Sequence, residues 1–189
     1  MARKSVKTVP HRRRREGKTN YKNRLTHLLS KKPRLVIRPT TKNMVVQFSV
    51  YNPDGDITKV KVNSGVLEKF GWKFSKNNLP ACYLAGFLAG KKALSSDVKE
   101  AIADLGMQNK SHGGKIYAAL KGVIDAGVTI PHSEDCFPTE ERLTGEHIKN
   151  HVSNVKEDST QFSSYKKKKL EPEKISEAFE NTKKKILES

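Results

Sequence analysis

Alternation of apolar and polar residues predicts three β-strands in the first third of the chain. The segments 34–38, 44–51 and 57–62 are rich in β-branched residues, and each is bounded by residues typical of turns. The turn at 52–56, with the sequence NPDGD, is well specified because its proline fixes one backbone torsion and its glycine accepts a positive φ. We therefore expect these three segments to form an antiparallel meander.

Helical periodicity follows the meander. Residues 80–95 carry large apolar side chains on one stripe and small residues on the other faces, so this helix can pack closely against a sheet. A second helix is predicted at 114–126, short strands are predicted at 100–106 and 128–130, and a terminal amphipathic helix is predicted from about Pro172. The order β-β-β-α-β-α-β predicts an α/β fold in which helices pack on a mixed sheet.

These elements divide the chain into three regions. We expect a basic arm with a short helix at 1–33, an α/β domain at 34–138 and a C-terminal helical extension at 139–189. The longest apolar stretch is too short to span a bilayer, so no membrane segment is expected. Cys82 and Cys136 lack a second pair and suit reduced thiols, and the start of the chain does not read as a secretory signal, so we expect a cytoplasmic protein.

Positive charge is concentrated in the arm. Residues 1–38 contain 14 of the 37 Lys and Arg residues and one of the 20 acidic residues. Such a block stays extended until phosphates neutralise it, although a solvated tail, a localisation signal or an acidic protein partner would also fit. RNA is favoured because Tyr21 and hydrogen-bonding side chains lie among the charges. The arm is expected to end in a short helix whose apolar stripe is Leu25, Leu28 and Leu29.

The first strand predicts a second basic surface. Arg34 and Arg38 share one face of this strand, because successive side chains of a strand point to opposite faces. The following turn, 39–43, adds polar donors at the same end of the strand. We expect an RNA contact there, although an ordinary solvated sheet edge explains the pattern equally well.

A third candidate is the loop 109–115, which precedes a helix. Its free backbone amides and its two lysines could hold a phosphate. The loop does not match a nucleotide-binding P-loop, because Ile116 stands where a magnesium-binding hydroxyl is required. His112 is explained equally well as a surface residue beside a turn.

Catalytic and metal-binding patterns are incomplete. His147 and His151 have the i, i+4 spacing of a zinc-protease helix, but Ile148 replaces the required glutamate, and no paired cysteines support a metal site. The element order is also that of ribonuclease H-like nucleases, which need clustered carboxylates, whereas Asp104 stands alone on its strand. We therefore expect neither an enzyme nor a bound cofactor or metal.

Several long segments resemble one family in order and in spacing. They are RRRREGKTNY (12–21), KPRLVIR (32–38), GWKFSKNNLPACYLAGFLAGKKAL (71–94), GGKIYAALKGVIDAGVTIPHSED (113–135) and ERLTGEHI (141–148). These segments resemble the archaeal and eukaryotic branch of the universal L-eighteen family of large-subunit ribosomal proteins, which bind 5S rRNA. The resemblance covers about residues 1–152, and the chain length is most similar to that of archaeal members.

The resemblance implies a ribonuclease H-like topology without catalysis. It implies a structural role in which 5S rRNA is anchored to 23S rRNA in the central protuberance, near the other 5S-binding protein, of the L-five family. Neither a membrane nor a small-molecule substrate is implied. Two alternatives to this structural role are another RNA-binding ribosome assembly factor and a nuclease on a related fold.

The resemblance also implies that the arm threads among rRNA and that the first hairpin and the 110–115 loop face 5S rRNA. The doubled glycine of the loop leaves its geometry open. Together with the patterns above, the expected rRNA-binding residues are Arg12, Arg13, Arg14, Arg15, Lys18, Tyr21, Lys22, Arg24, Arg34, Arg38, Thr40, Lys42, Asn43, Gln47, Lys110, His112, Gly113 and Lys115.

Overall fold

The computed structural model describes residues 8–152, 154, 161–168 and 170–188, so the first seven residues of the predicted arm lie outside the described part. The strands are β1 (Arg34–Pro39), β2 (Met44–Val50), β3 (Ile57–Asn63) and β4 (Ile102–Asp104). The helices are α1 (Arg12–Arg15), α2 (Tyr21–Leu29), α3 (Leu79–Ser95), α4 (Lys115–Asp125), α5 (Glu140–Thr144), α6 (Glu146–Val152), α7 (Ser163–Lys167) and α8 (Ile175–Glu188). Short 3-10 helices occupy Ser64–Phe70, Glu134–Cys136 and Pro172–Lys174.

The strands of the described residues form one mixed sheet in the order β3-β2-β1-β4. Strands β1, β2 and β3 are antiparallel neighbours, which confirms the predicted meander. Strand β4 joins β1 in parallel after the crossover through α3. The α/β class with a mixed sheet and packed helices is therefore confirmed, whereas the ribonuclease H-like topology stays a prediction.

The prediction of a strand at 128–130 is wrong. Only Thr129 pairs there, through a single parallel bridge to Glu100. Gly127, with a φ of 106°, and Pro131, which lacks a backbone N–H, flank this segment closely, so a continuous ladder cannot develop. The strand expected at 100–106 is also shorter than predicted.

Helix α3 is the centre of the core, and its small residues allow a close approach to α4. A methyl group added at Gly86 would lie 2.0 Å from the Ala119 carbonyl oxygen, and one added at Gly122 would lie 2.2 Å from the Tyr83 carbonyl oxygen. The sequence predicted close packing against the sheet, but the glycines of α3 meet the neighbouring helix instead. Leu84 and Leu88 of α3 are buried in the same core.

The C-terminal helix belongs to this core as well. Ile175 and Ile186 of α8 are fully buried and Phe179 is 5% exposed, which confirms the predicted amphipathic helix. Lys91 of α3 donates hydrogen bonds of 3.1 Å and 2.6 Å to the carbonyl oxygens of Ile186 and Leu187, at the end of α8. The described helices include none that is both long and apolar enough to cross a membrane.

The sheet presents two different faces. Leu35 and Ile37 of β1 point into the core, whereas Arg34 and Arg38 lie on the opposite face, as the period-two rule predicted. Helix α2 of the arm lies over this second face, which is called here the open face of the sheet. The arm and the open face together form the candidate site.

Candidate nucleic-acid interface

The four consecutive arginines of the arm form a short helix that leaves their side chains in solvent. No residue of α1 is buried. The following acid, Glu16, lies 2.9 Å from the Lys18 ammonium and 4.0 Å from the first guanidinium of the helix, so cations surround it. Arg13 donates a hydrogen bond of 2.8 Å to the Thr19 hydroxyl. The arm therefore presents several guanidinium groups to solvent, where a polyanion could contact them.

Asn20 begins the second helix of the arm. Its side-chain oxygen accepts hydrogen bonds from the backbone N–H groups of Lys22 and Asn23, at 3.1 Å and 3.2 Å, and so caps α2. Tyr21 and Lys22 in the first turn are exposed, and the Tyr21 ring lies 5.3 Å from the His11 ring. Tyr21 therefore offers an aromatic face beside the arginines, where an unpaired base could stack.

A bidentate ion pair joins α2 to the open face of the sheet. Arg24 donates two hydrogen bonds of 3.0 Å, one to each carboxylate oxygen of Asp56, in the turn just before β3. The planar guanidinium matches a carboxylate in this geometry. Little of the apolar stripe of α2 is buried: Leu25 is 59% exposed and Leu29 is 73% exposed, while Leu28 is half-buried.

Arginines and carboxylates alternate on the open face of the sheet, beneath α2. Arg34 is 4% exposed, and it contacts both Asp56 and, at 3.4 Å, Asp104. Arg38 donates a hydrogen bond of 2.8 Å to the Asp104 carboxylate and another of 2.6 Å to the Asp104 carbonyl oxygen. Arg34 is therefore buried among its carboxylate partners on the open face, whereas Arg38 remains partly exposed.

Both carboxyl groups are held in the charged form. Burial by itself would raise the pKa of Asp56, but the hydrogen bond from Arg24 and the charge of Arg34 outweigh it and lower that pKa below its usual value. In Asp104, burial is likewise outweighed by the hydrogen bond and charge of Arg38, so its pKa is also lowered. The pKa of Arg24 is raised, chiefly by its hydrogen bond to Asp56.

A groove of about 530 Å³ lies between the arm and the open face. The side of the arm contributes Asn23 and His27, and the sheet contributes Val36, Ser49 and Thr58. The predicted site residues that line the groove are Arg13, Lys18, Arg24, Arg34, Arg38, Gln47 and Lys110. Residues predicted from three separate segments therefore meet at one polar, basic surface.

The turn between β1 and β2 lies at the end of the sheet, outside this groove. The backbone N–H and side-chain hydroxyl of Thr40 both bond to the Asn43 carbonyl oxygen, at 2.8 Å each, which closes the turn. The Asn77 amide donates to the carbonyl oxygens of Thr40 and Thr41, at 2.9 Å and 3.0 Å. Lys42 is exposed, so this hydrogen-bonded turn places one cation at the end of the sheet.

The loop before α4 places one predicted residue in the groove and the others beside it. Lys110 lines the groove, whereas the exposed His112 has its Nδ1 atom 3.3 Å from the Asp135 carbonyl oxygen. Gly113 has a φ of 66°, a left-handed conformation that favours glycine. Lys115 is exposed in the first turn of α4.

The limited space around the second glycine of this loop, Gly114, explains why a glycine stands there. A methyl group added at Gly114 would lie 2.8 Å from the Ser111 carbonyl oxygen, which accepts a hydrogen bond of 3.1 Å from the Gly114 N–H. Gly114 also stands at the N-cap position of α4 without a capping side chain. The doubled glycine therefore forms a tight turn that leads directly into the helix.

Sequence reasoning missed the two acids of the site. Their positions in the sequence indicate only a turn residue at Asp56 and a solitary carboxylate at Asp104. Their partners are distant in sequence, since Asp104 and Arg38 are 66 residues apart. The signal that could have identified Asp104 is the pairing of two parallel strands, which aligns it with Val36, between the two arginines of β1.

No group of three or more His, Cys, Asp or Glu residues that could hold a metal ion occurs within the described ranges. The two carboxylates of the open face instead accept hydrogen bonds from arginines. Cys82 and Cys136 are free and buried, and burial raises the pKa of the Cys82 thiol to about 12. The chemistry of the site is thus that of charge and hydrogen bonding.

A protein-family model described as the ribosomal large subunit proteins 60S L5 and 50S L18 matches residues 5–102 and 96–133. The matched segments cover more than half of the 189 residues. They include both arm helices, every strand of the described sheet, and the helices α3 and α4. The arm from residue 5 onward and the open face, which build the groove, therefore both lie within the match.

Proposed function

This chain belongs to the family of ribosomal large-subunit proteins described as 60S L5 and 50S L18, and we propose that it binds 5S rRNA and anchors it to 23S rRNA in the central protuberance. Membership makes it a structural component of the large ribosomal subunit in the cytoplasm, and not an enzyme. Its partners are rRNA and other ribosomal proteins. We further propose the 5S-binding protein of the L-five family as a neighbour.

One observation carries the proposal: the exposed arginines of α1 are continuous with a basic groove between the arm and the open face. Arg13 and Lys18 belong to the arm and also line the groove. A phosphate backbone that follows the arm would therefore reach the sheet without leaving positively charged surface. Multiple phosphate contacts of this kind dominate the affinity of RNA-binding proteins.

The residues divide by the contact that each can make. Exposed cations suit phosphates, and they are Arg12, Arg13, Arg14, Arg15, Lys18, Lys22, Lys42, Lys110 and Lys115. Tyr21 suits stacking, while Gln47, Thr40, Asn43, His112 and Gly113 supply hydrogen-bonding groups or backbone shape. Arg24 and Arg38 also donate hydrogen bonds to carboxylates. We propose that the buried Arg34 holds these carboxylates in place and does not itself contact RNA.

Binding to isolated 5S rRNA tests the proposal directly. The full chain and a variant that lacks residues 1–19 are titrated against labelled 5S rRNA at about 150 mM salt, with a scrambled RNA of equal length as control. This deletion removes α1 but keeps the sheet and α2 with its Asn20 cap, so we expect affinity to fall by about 100-fold or more. Equal affinity of the full chain for 5S and scrambled RNA would refute specific recognition.

The anchoring role needs a separate measurement. Large subunits are isolated from cells depleted of the protein, and the amount of 5S rRNA per 23S rRNA is measured. If the protein anchors 5S rRNA, this ratio falls with depletion and recovers on expression of the full chain. Subunits that retain a full complement of 5S rRNA without the protein would exclude the anchoring role.

A further inference from the structure

An acidic residue lies at the centre of the basic surface and contacts two of its arginines. Asp56 accepts two hydrogen bonds of 3.0 Å from Arg24 on α2 and also contacts Arg34 on β1. Its carboxylate therefore bridges the arm and the sheet. The Arg24 and Asp56 side chains are only 32% and 26% exposed, which limits the screening of the pair by solvent.

Other attachments of α2 to the body are weak. No residue of α2 is buried, and the apolar Leu25 and Leu29 are mostly exposed. Near the base of the arm, Lys32 and Glu100 are 2.5 Å apart, but both side chains are at least half exposed. A helix of nine residues is marginal in water without tertiary contacts. The Arg24–Asp56 pair is thus the best-formed polar link between this helix and the sheet.

We propose that Asp56 is a positioning residue that docks α2 on the open face of the sheet through Arg24, and so aims the arginines of α1 along the groove. The proposal rests on the proposed function, in which those arginines bind rRNA. Docking in the free protein reduces the ordering that binding would otherwise require, and such preorganisation increases affinity.

The proposal makes a prediction opposite in sign to that of simple electrostatics. Removing a negative charge from a basic surface strengthens its attraction to phosphate. If Asp56 positions the arm, however, Asp56→Asn weakens RNA binding, because the arm must then be ordered by the RNA. Asp54 lies in the same turn, is exposed and has no ion pair among the described residues, so Asp54→Asn is the matched control.

Hydrogen exchange in the free protein tests docking without RNA. The amides of residues 21–29 are followed by mass spectrometry in the parent chain and in the two variants. Asp56→Asn is expected to accelerate their exchange about tenfold, which is the size expected for losing a charge-assisted hydrogen-bonded pair. Asp54→Asn is expected to leave it unchanged. Unchanged exchange in Asp56→Asn would overturn the proposal.

A second pair of variants separates docking from folding, because Asp56→Asn also removes a partner of the buried Arg34. Arg24→Gln breaks only the arm side of the link, and Lys22→Gln removes the same charge from the same helix without touching Asp56. We expect fast exchange of α2 in Arg24→Gln alone, with the amides of β1 unchanged in both variants. Equal exchange of α2 in the two variants would contradict the proposal.

RNA affinity then connects docking to function. With 5S rRNA as the probe, Asp56→Asn is expected to weaken binding by roughly three- to tenfold, and Asp54→Asn to leave it equal or tighter. Asp56→Glu keeps the carboxylate and should restore part of the loss. Tighter binding by Asp56→Asn would overturn the positioning role. If the parent chain fails to bind 5S rRNA, the proposed function fails, whereas the exchange data still decide whether Asp56 docks the helix.

Discussion

The arginines of this protein differ in what their guanidinium groups contact. Those of α1 are exposed, whereas Arg24, Arg34 and Arg38 share two carboxylates. Sequence periodicity correctly placed Arg34 and Arg38 on one face of β1. It could not show that Arg34 is buried, because its acidic partners come from a turn 22 residues away and a strand 70 residues away.

Low pH should reduce the stability of the folded protein, in part because Asp104 becomes protonated. Its pKa is lowered in the folded state, so its contribution to stability is complete well above the usual value of 3.8 and is lost as the pH falls below it. We expect Asp104→Asn to lower the free energy of unfolding at pH 7 by about 2 kcal/mol, because charge-assisted hydrogen bonds are lost. The difference in Tm between the parent chain and the variant should shrink as the pH falls from 5 towards 2.

Thermal melts across this pH range check the prediction, with Asp54→Asn as the control. That variant removes the same charge from an exposed turn, so its Tm should match that of the parent chain at every pH. A Tm difference for Asp104→Asn that stays constant down to the lowest pH would show that the carboxylate charge is not the cause.

At the scale of elements, sequence pattern predicted most of the fold. The strands of the meander begin and end within one residue of their predicted bounds, because alternation and turn residues are local signals. The prediction of a strand at 128–130 failed because β-branched composition is a local signal. A strand also needs a neighbouring strand long enough to pair with it, which composition does not show. The close contact of α3 with α4 was also beyond the sequence, which showed small residues but not which element they face.

The crossing of α3 and α4 requires glycine at Gly86. An added methyl group would meet the backbone oxygen of Ala119 at 2.0 Å, and backbone cannot move aside without shifting the whole helix. We expect Gly86→Ala to lower the free energy of unfolding by about 2 kcal/mol, despite the better helix propensity of alanine. Chemical denaturation measures this change.

Gly65→Ala is the matched control for this crossing. A methyl group there would meet its nearest atom at 3.6 Å, an ordinary contact distance. Its free energy of unfolding should stay within about 0.5 kcal/mol of that of the parent chain. Equal effects of the two substitutions would mean that the close approach of α3 to α4 at Gly86 does not determine the cost.

Helix α8 should contribute to the stability of the α/β domain. Phe179 is 5% exposed, and its ring lies 5.5 Å from the ring of Tyr83 on α3. We expect Phe179→Ala to cost about 3 kcal/mol of unfolding free energy, with a single cooperative transition for the domain and the helix together. Leu187→Ala, at a position that is 53% exposed, should cost less than about 0.5 kcal/mol. Two separate transitions would instead support the predicted C-terminal extension as an independent unit.

At the scale of the whole molecule, most of the excess positive charge and the folded core lie in different parts of the chain, and these parts contact each other at the open face. The arm holds most of the excess positive charge, and the body supplies a sheet whose open face has its own acids and arginines. Composition predicted the basic arm, and the resemblance predicted its use. The contact between arm and sheet could not be predicted, since it depends on single side chains such as Arg24 and Asp56 that come together only in the folded protein.

The dependence of RNA binding on salt measures how much of the affinity comes from the arm. Each phosphate neutralised contributes about 0.7 to 0.9 to the slope of log K against log salt. Replacing the arginines of α1 with glutamine should therefore reduce that slope by about 3, if all four contact 5S rRNA. The control replaces the same number of exposed lysines on the body, Lys92, Lys99, Lys149 and Lys184.

This control changes the net charge equally, so the two variants differ only in where the charge is lost. A general attraction between a basic protein and RNA reduces the slope similarly in both, because it depends on net charge. Specific contacts by the arm reduce it in the α1 variant and leave the control near the parent value. Binding of both variants to 5S rRNA at several salt concentrations decides between a site on the arm and a diffuse positive surface.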